Sequence, residues 1–150
     1  MERSLILIKP DAVQIGIAAE ILARLEKRGL KIVAMKMLRM DKALAERHYA
    51  VHKDKPFFAD LVKFITSGPI IAAVFEGENA VEVIRQMMGA TDPKKAAPGT
   101  IRADLGLSME QNMIHGSDSL ENAAKEIEIF FKPEELLTYT RDIDKWITGS

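Results

Sequence analysis

The segment around His115 has the residue types and spacing for transferring a phosphoryl group. His115 ends a predicted strand, and Gly116 and Ser117 lead from it to a predicted helix. Glycine lets a ligand approach the backbone closely, and the free N–H groups of a helix N-terminus favour an anion. Neutral imidazole is a competent nucleophile near neutral pH. His115 is therefore the first candidate for a nucleophile that attacks a phosphoryl group.

Glu126 is the candidate partner of this histidine. It lies one heptad after Ser119, so both residues occupy the same side of the predicted helix, at the border of its apolar stripe. From there its carboxylate could reach the strand end and hold one ring nitrogen of His115. An exposed glutamate beside Lys125 is an equally good interpretation, because acidic residues often flank apolar stripes. The pattern alone leaves both interpretations open.

Three cations occupy positions where a phosphate could meet them. Lys9 follows the first predicted strand, Arg85 lies in a helix, and Arg102 lies beside Thr100 in a long segment without a clear period. Functional groups of α+β domains gather at strand ends and in loops. Each of these residues taken singly is more often an ordinary surface charge.

Phe57 and its neighbours allow a second kind of contact, with a nucleotide base. Phe57 and Phe58 follow Lys53 and Lys55, so a planar base could stack between an aromatic ring and a cation. Phe57 also shares a helical spacing with Leu61 in an apolar pattern. That spacing favours ordinary helix packing for Phe57.

His48 and His52 have the spacing of two zinc ligands on one helix. A zinc site would need a glutamate after the first histidine or a third ligand, and the local sequence from 48 to 52 offers neither. Short motifs of this kind match by chance. The pair is therefore interpreted as a solvated helix face.

Hydrophobic periodicity predicts the order strand, helix, strand, helices, strand, helix, strand, helix. The two similar βαβ halves favour an α+β sandwich of ferredoxin-like, βαββαβ topology, a four-stranded antiparallel sheet with helices on one face. Asn79 with Glu82 predicts a capping box, Asp118 is predicted to cap the last helix, and Trp146 is predicted to pack against another surface. The predicted strands are 5–8, 30–40, 70–76 and 112–115, and the helices lie near 17–29, 41–51, 56–66, 80–88 and 118–131.

The composition is that of one globular domain, predicted over residues 1–150. The net charge of −1 argues against a nucleic-acid partner, so none is expected to be required. The absence of cysteine excludes disulfides and thiolate chemistry, and no apolar run reaches the length of a membrane helix. These features predict a cytoplasmic protein without a membrane partner.

Six ordered segments together resemble the nucleoside diphosphate kinase family. The resemblance runs from about residue 3 to residue 146, and its most specific part is 112–119, which resembles the signature around a phosphorylated histidine. The other five segments are 8–11, 53–58, 67–69, 98–102 and 131–136. Met109 departs from the family pattern at a base-facing position that an aliphatic residue often holds.

The resemblance implies a ping-pong exchange of the terminal phosphate of a nucleoside triphosphate, typically ATP, with a nucleoside diphosphate. His115 would carry the phosphoryl group, with Glu126 and Ser117 orienting its ring. Lys9, Tyr49 and Asn112 would meet the ribose hydroxyls and the travelling phosphate. The inner phosphates would be held by Arg85, Thr91 and Arg102, and the base would be covered by Phe57 and Leu61.

The resemblance also implies a metal and an assembly. Mg²⁺ would arrive on the nucleotide phosphates without direct protein ligands, with Asp118 as a contact through water. The chain would form a homo-oligomer built from dimers, a hexamer or a tetramer, through residues 96–99 and the C-terminal segment. The alternative function is a catalytically silent nucleotide-binding or scaffolding protein of the same fold, which is disfavoured because the candidate residues occur together.

Overall fold

A computed structural model describes residues 1–109 and 111–147. Gly149 and Ser150, whose origin the sequence does not reveal, lie outside the described residues. The four strands are β1 (Glu2–Ile8), β2 (Lys31–Leu38), β3 (Ile70–Gly77) and β4 (Ile114–Gly116). The helices are α1 (Pro10–Ile15), α2 (Ala18–Lys27), α3 (Lys42–His48), α4 (Phe58–Ile65), α5 (Ala80–Met88), α6 (Ile101–Leu105), α7 (Leu120–Phe130) and α8 (Asp144–Ile147), with 3₁₀ turns at Ala50–His52, Pro93–Lys95 and Pro133–Glu135.

The strands form one antiparallel sheet in the order β2-β3-β1-β4. This order is that of the predicted βαββαβ core, so the predicted fold class is confirmed. β1 lies inside the sheet, where all of its apolar run from Leu5 to Ile8 is buried. β4 contributes three residues at the edge next to β1, with His115 opposite Leu7. The sheet therefore brings the end of β1 and the His115 strand side by side.

Helices cover both faces of this sheet, so the prediction of helices on one face is wrong for the whole chain. Ile6 and Ile8 pack with the crossover helices α2 and α5. Their neighbours Leu5 and Leu7 point the other way and pack with residues of α3, α4 and α7. The one-face arrangement holds for the two crossover helices alone, since α3, α4 and α7 supply the second layer. That second layer carries several of the candidate site residues.

Local details at the helix termini differ from the prediction at two positions. Asn79 precedes α5 with a φ of 52° and makes no side-chain cap. The Glu2 carboxylate accepts the Val81 N–H at 3.4 Å instead, so β1 supplies part of that cap. Ser119, rather than Asp118, caps α7 by accepting the Asn122 N–H at 3.1 Å.

Three further features complete the comparison with the predicted elements. The helix α1 was not predicted, because six residues are too few to show a helical period; Pro10 begins it and Gly16, at a φ of 86°, ends it. The segment after α5 contains α6, which Thr100 caps through the Ala103 N–H.

Trp146 is 82 % exposed, so the prediction that it packs is wrong within a single chain. None of the described helices is long and apolar enough to cross a membrane.

Candidate active site

A cavity of about 980 Å³ opens where β4 meets α3, α4 and α7 and the end of α5. It collects side chains from strand ends, helices and the segment between α5 and β4. The structure thus brings together residues that are more than one hundred positions apart in sequence. Eleven of the twelve predicted site residues line it: Lys9, Tyr49, Phe57, Leu61, Arg85, Thr91, Arg102, Asn112, His115, Asp118 and Glu126.

His115 and Glu126 meet at the floor of this cavity. The burial of β4 alternates, so the neighbours of His115 face the core while its own side chain stays 27 % exposed. The His115 Nε2 shares a short hydrogen bond with Glu126 Oε1. Because a carboxylate only accepts, Nε2 carries the proton and Nδ1 of the neutral ring keeps its lone pair. Of the two interpretations of Glu126, the structure favours the partner of His115.

The backbone that presents His115 is held from three directions. Met113, just before β4, has a φ of 75°, a left-handed conformation that is costly for a non-glycine residue. Its N–H donates to the Asp11 carboxylate at 3.0 Å, and its carbonyl accepts the Lys9 N–H at 2.9 Å. The Arg102 guanidinium donates to the Ile114 carbonyl at 2.7 Å. These contacts fix the strand even though it is only three residues long.

Lys9 and Asn112 form a polar pair beside His115. The Lys9 Nζ donates to Asn112 Oδ1 at 2.8 Å, and the Asn112 amide donates to the carbonyls of Thr91 and Met109. Asn112 thereby ties three segments together at the base of the cavity. Burial, helped by the nearby Arg102 charge, lowers the pKa of Lys9 from 10.5 to about 8. A phosphate in the cavity would favour the charged form of this lysine.

Arg102 and Arg85 add positive charge to the cavity, which Arg47 and Lys125 also line. Arg102 is only 8 % exposed and donates to the Gly89 and Ile114 carbonyls, while its Nε has no partner among the described residues. Burial, and then the Arg85 charge, lowers the pKa of Arg102 to about 10. Arg85 is exposed on α5 and faces the same cavity. Two cations held this close to one another are suited to an anion of high charge.

Tyr49 and Phe57 lie towards α3 and α4. Tyr49 is 8 % exposed, and burial together with the Glu126 carboxylate raises its pKa to about 12, so the hydroxyl stays protonated. Phe57 precedes α4 and is 46 % exposed, so the prediction that it packs in the helix interface is wrong. Leu61 packs partly against the core and partly lines the cavity. Phe57, Leu61 and Phe64 therefore form an apolar part of the cavity wall at α4, which Asp60 also lines.

Ser117 and Gly116 have other partners than expected. Ser117 is fully buried and does not line the cavity, and its hydroxyl donates to the Leu5 carbonyl at 3.5 Å. In this structure the hydroxyl therefore joins β4 to β1, and a role of Ser117 in orienting the His115 ring stays a prediction. A Cβ on Gly116 would lie 2.5 Å from Met88 Sδ, so this glycine gives α5 close access to β4.

The interpretation of His48 as part of a solvated helix face is wrong. His48 is 9 % exposed, and its ring packs edge-on against the His115 ring with 4.8 Å between centroids. Ala45 belongs to the core cluster and Leu44 packs against it, three and four residues before His48, which are the spacings of one helix face. That stripe is the signal that could have placed His48 on the buried face of α3. His52, by contrast, is only partly buried.

Asp118, the residue predicted to contact a metal through water, lines the cavity, as do the carboxylates of Asp60 and Glu126. Its side chain accepts the Asn122 amide at 2.5 Å, and this bond, with help from the Arg85 charge, lowers its pKa. It is therefore ionised near neutral pH. A single carboxylate suits Mg²⁺ that keeps several waters and is held mainly by phosphates.

Comparison with known proteins assigns the family. The family model described as nucleoside diphosphate kinase matches residues 2–136. A nucleoside diphosphate kinase of Thermomicrobium roseum is 56 % identical over 99 % of this chain and 100 % of its own length. A nucleoside diphosphate kinase of Dehalococcoides mccartyi is 60 % identical over 94 % of this chain and 99 % of its own length.

Solved structures lead to the same family. A nucleoside diphosphate kinase from Halobacterium salinarum in complex with CDP superposes with a TM-score of 0.94 at 50 % identity, covering 97 % of both chains. A nucleoside diphosphate kinase family protein from Babesia bovis has a TM-score of 0.95 at 44 % identity, and the match covers 98 % of this chain and 99 % of that one. The silent alternative is accordingly disfavoured. The chain belongs to the nucleoside diphosphate kinase family and is an enzyme, a phosphotransferase that acts on nucleotides.

Proposed function

We propose that His115 carries the phosphate between nucleotides as a covalent phosphohistidine. In the first step the Nδ1 lone pair attacks the terminal phosphorus of a nucleoside triphosphate. The N–P bond forms as the P–O bond breaks, and the nucleoside diphosphate leaves with the bonding electrons. In the second step a terminal oxygen of another diphosphate attacks the same phosphorus and the N–P bond breaks.

The hydrogen bond between His115 and Glu126 is the observation that carries this proposal. It keeps the proton on Nε2, so Nδ1 is the nitrogen that can attack. The carboxylate also offsets the positive charge that the ring acquires when the N–P bond forms. In a partly buried site such a fixed charge is worth more than in water. Glu126 is therefore a positioning and electrostatic partner.

The remaining polar residues are proposed to hold the sugar and the phosphates. Phosphoryl transfer depends mainly on alignment and charge neutralisation, which explains why cations and neutral donors surround His115. We assign Lys9, Tyr49 and Asn112 to the ribose hydroxyls and the travelling phosphate, and Arg85, Thr91 and Arg102 to the inner phosphates. Mg²⁺ would enter as part of the nucleotide substrate, with Asp118 contacting its water shell.

Phe57 and Leu61 are proposed to cover the base. Both line the apolar wall at α4, and Phe57 presents an exposed ring. Stacking on an aromatic face tolerates any base, because every base has a π surface. Met109, 61 % exposed at the cavity, adds a flexible apolar contact.

The chain is proposed to act as a homo-oligomer, a hexamer or a tetramer, with residues 1–150 as one domain in each copy. β2 forms an edge of the sheet, and Met35 and Met37 on it are 53 % and 60 % exposed. An uncovered apolar edge strand invites pairing with another chain. Light scattering should find an oligomer for the wild-type chain and a smaller species for the double variant Met35→Lys with Met37→Lys. A monomeric wild-type chain would contradict the proposal.

A cytoplasmic location stays a prediction from the sequence.

Labelling by Mg-ATP tests the covalent intermediate. The intact mass should rise by one phosphoryl group that is acid-labile and is discharged by GDP. His115→Ala should not be labelled, whereas His52→Ala, a substitution at a neighbouring partly buried histidine, should be. Label that persists in His115→Ala, or an unlabelled wild-type enzyme that still binds nucleotide, would overturn the proposal.

A further inference from the structure

The imidazole of His48 is buried and has no hydrogen-bond partner among the described residues. The residue ends α3 and is 9 % exposed, and within the described part of the chain neither Nδ1 nor Nε2 has a partner. Buried polar atoms are usually hydrogen bonded, so such a ring requires an explanation. A metal ion is one ligand that would satisfy a buried imidazole nitrogen.

The side chains around His48 supply further metal ligands. One ligand atom each from His48, His115 and Glu126 lie within 4.8 Å of one another. They come from α3, β4 and α7, which is why the local sequence around His48 offered no third ligand. We propose that His48, His115 and Glu126 form a binding site for Zn²⁺ that weakens His115 as a nucleophile.

The donor set selects the metal. Two imidazoles and one carboxylate suit Zn²⁺, whereas Mg²⁺ prefers oxygen ligands and keeps its waters. The fourth position of a three-ligand site would be taken by water. The site therefore discriminates between an inhibitory ion and the Mg²⁺ that accompanies the substrate.

Small side-chain movements are enough to form the site. Zinc–ligand distances are about 2.0–2.2 Å, so tetrahedral ligand atoms lie roughly 3.3 Å apart. The widest separation of 4.8 Å would have to shorten, and the His115–Glu126 contact would have to open. Zn²⁺ takes the place of the proton on His115 Nε2, which is released to water. The site opens into the cavity, which provides the entry path.

Zn²⁺ on Nε2 opposes phosphorylation at Nδ1 of the same ring, a consequence that rests on the proposed function. Zn²⁺ on Nε2 withdraws electron density from the ring. It also binds the Glu126 carboxylate, which then no longer offsets positive charge on the ring. Nδ1 then becomes a weaker nucleophile. Metal binding to the free protein does not depend on that function, so the two are tested separately.

The experiment is a Zn²⁺ titration of the full chain without nucleotide, in competition with a chromogenic chelator. We expect one equivalent per chain, and a loss of affinity of at least about tenfold in His48→Asn and in His48→Phe, which keeps the ring packing. His52→Asn is the matched control and should bind as the wild type does. Co²⁺ in place of Zn²⁺ should give the intense absorption of tetrahedral coordination, weakened in the His48 variants.

The outcomes distinguish the site from the proposed reaction. Zn²⁺ binding that is equal in wild type and both His48 variants overturns the metal site, whatever the labelling by Mg-ATP shows. So does a loss of binding in His52→Asn that matches the loss in His48→Asn. Binding that depends on His48, together with Zn²⁺ inhibition of labelling that a chelator reverses, supports the proposal.

Discussion

The inner and outer ends of the cavity are built differently. At the inner end, hydrogen bonds join residues distant in sequence, such as Lys9 to Asn112 and His115 to Glu126. At the outer end, Phe57 and Met109 are 46 % and 61 % exposed, and their apolar side chains face the same cavity. The inner end therefore fixes the position of each polar group, whereas the outer end offers an adaptable apolar surface.

This difference matches what the two ends are proposed to recognise. The phosphate that is transferred is the same for every nucleotide, and its reaction tolerates little misalignment. The bases differ in their hydrogen-bonding edges but share a flat apolar surface. Substitutions at the inner end should therefore affect the chemical step, and those at the outer end should affect affinity alone.

The largest effect is expected for His115→Ala. Without the nucleophile, exchange should fall by at least about 10⁴-fold, while nucleotide binding stays within a few-fold because the cations remain. A coupled steady-state assay and equilibrium dialysis measure the two quantities. Exchange within tenfold of the wild-type rate would show that another group carries the phosphate.

Glu126→Gln should have the next largest effect. It keeps the shape of the side chain but removes the charge opposite the ring, so His115 phosphorylation should slow by about 10²-fold. Rapid-quench measurement of a single turnover isolates this step. Glu128→Gln, a change at an exposed position of the same helix, is the matched control. Equal effects of both substitutions would remove Glu126 from the site.

We expect Lys9 to make nucleotide affinity depend on pH. Its pKa of about 8 means that the ammonium is present below that pH and is lost as the pH rises above it. Since phosphates favour the charged form, Kd should increase by up to about tenfold per pH unit above 8. Calorimetric titrations between neutral and alkaline pH measure this slope. Lys9→Met should bind nucleotide more weakly, and its Kd should change less with pH. An unchanged dependence of Kd on pH in that variant would assign the titration to another group.

The smallest effect is expected at the outer end. Phe57→Ala should weaken binding by about fivefold, the lower limit for losing a stacked ring, with kcat unchanged at saturation. Adenine, guanine and cytosine nucleotides should be affected equally, and Phe57→Tyr should restore affinity. A loss confined to one base, or a large fall in kcat, would contradict the division between the two ends.

Local patterns in the sequence were sufficient for the four strands and for α2, α3, α4, α5 and α7, but not for α1, α6 and α8. They suggested candidates for the cavity lining without deciding between a functional and an ordinary role. Apolar runs placed β1 and β3. The border position of Glu126 on its helix suggested its contact with His115 but fitted an exposed glutamate equally well. The resemblance, rather than any period, suggested Tyr49 and Thr91. What the sequence could not provide depends on partners distant in the chain. The buried environment of His48 comes from β4 and α7, and part of the α5 cap comes from Glu2.

The three-residue length of β4 has a consequence for hydrogen exchange. So short an edge strand can detach without unfolding the sheet, and local openings of this kind expose amides well below the global free energy of unfolding. The contacts of Asp11 and Arg102 with the backbone around it oppose that opening. The Ser117 amide, bonded to the Leu5 carbonyl at 3.2 Å, therefore reports how often the strand that carries His115 detaches from β1.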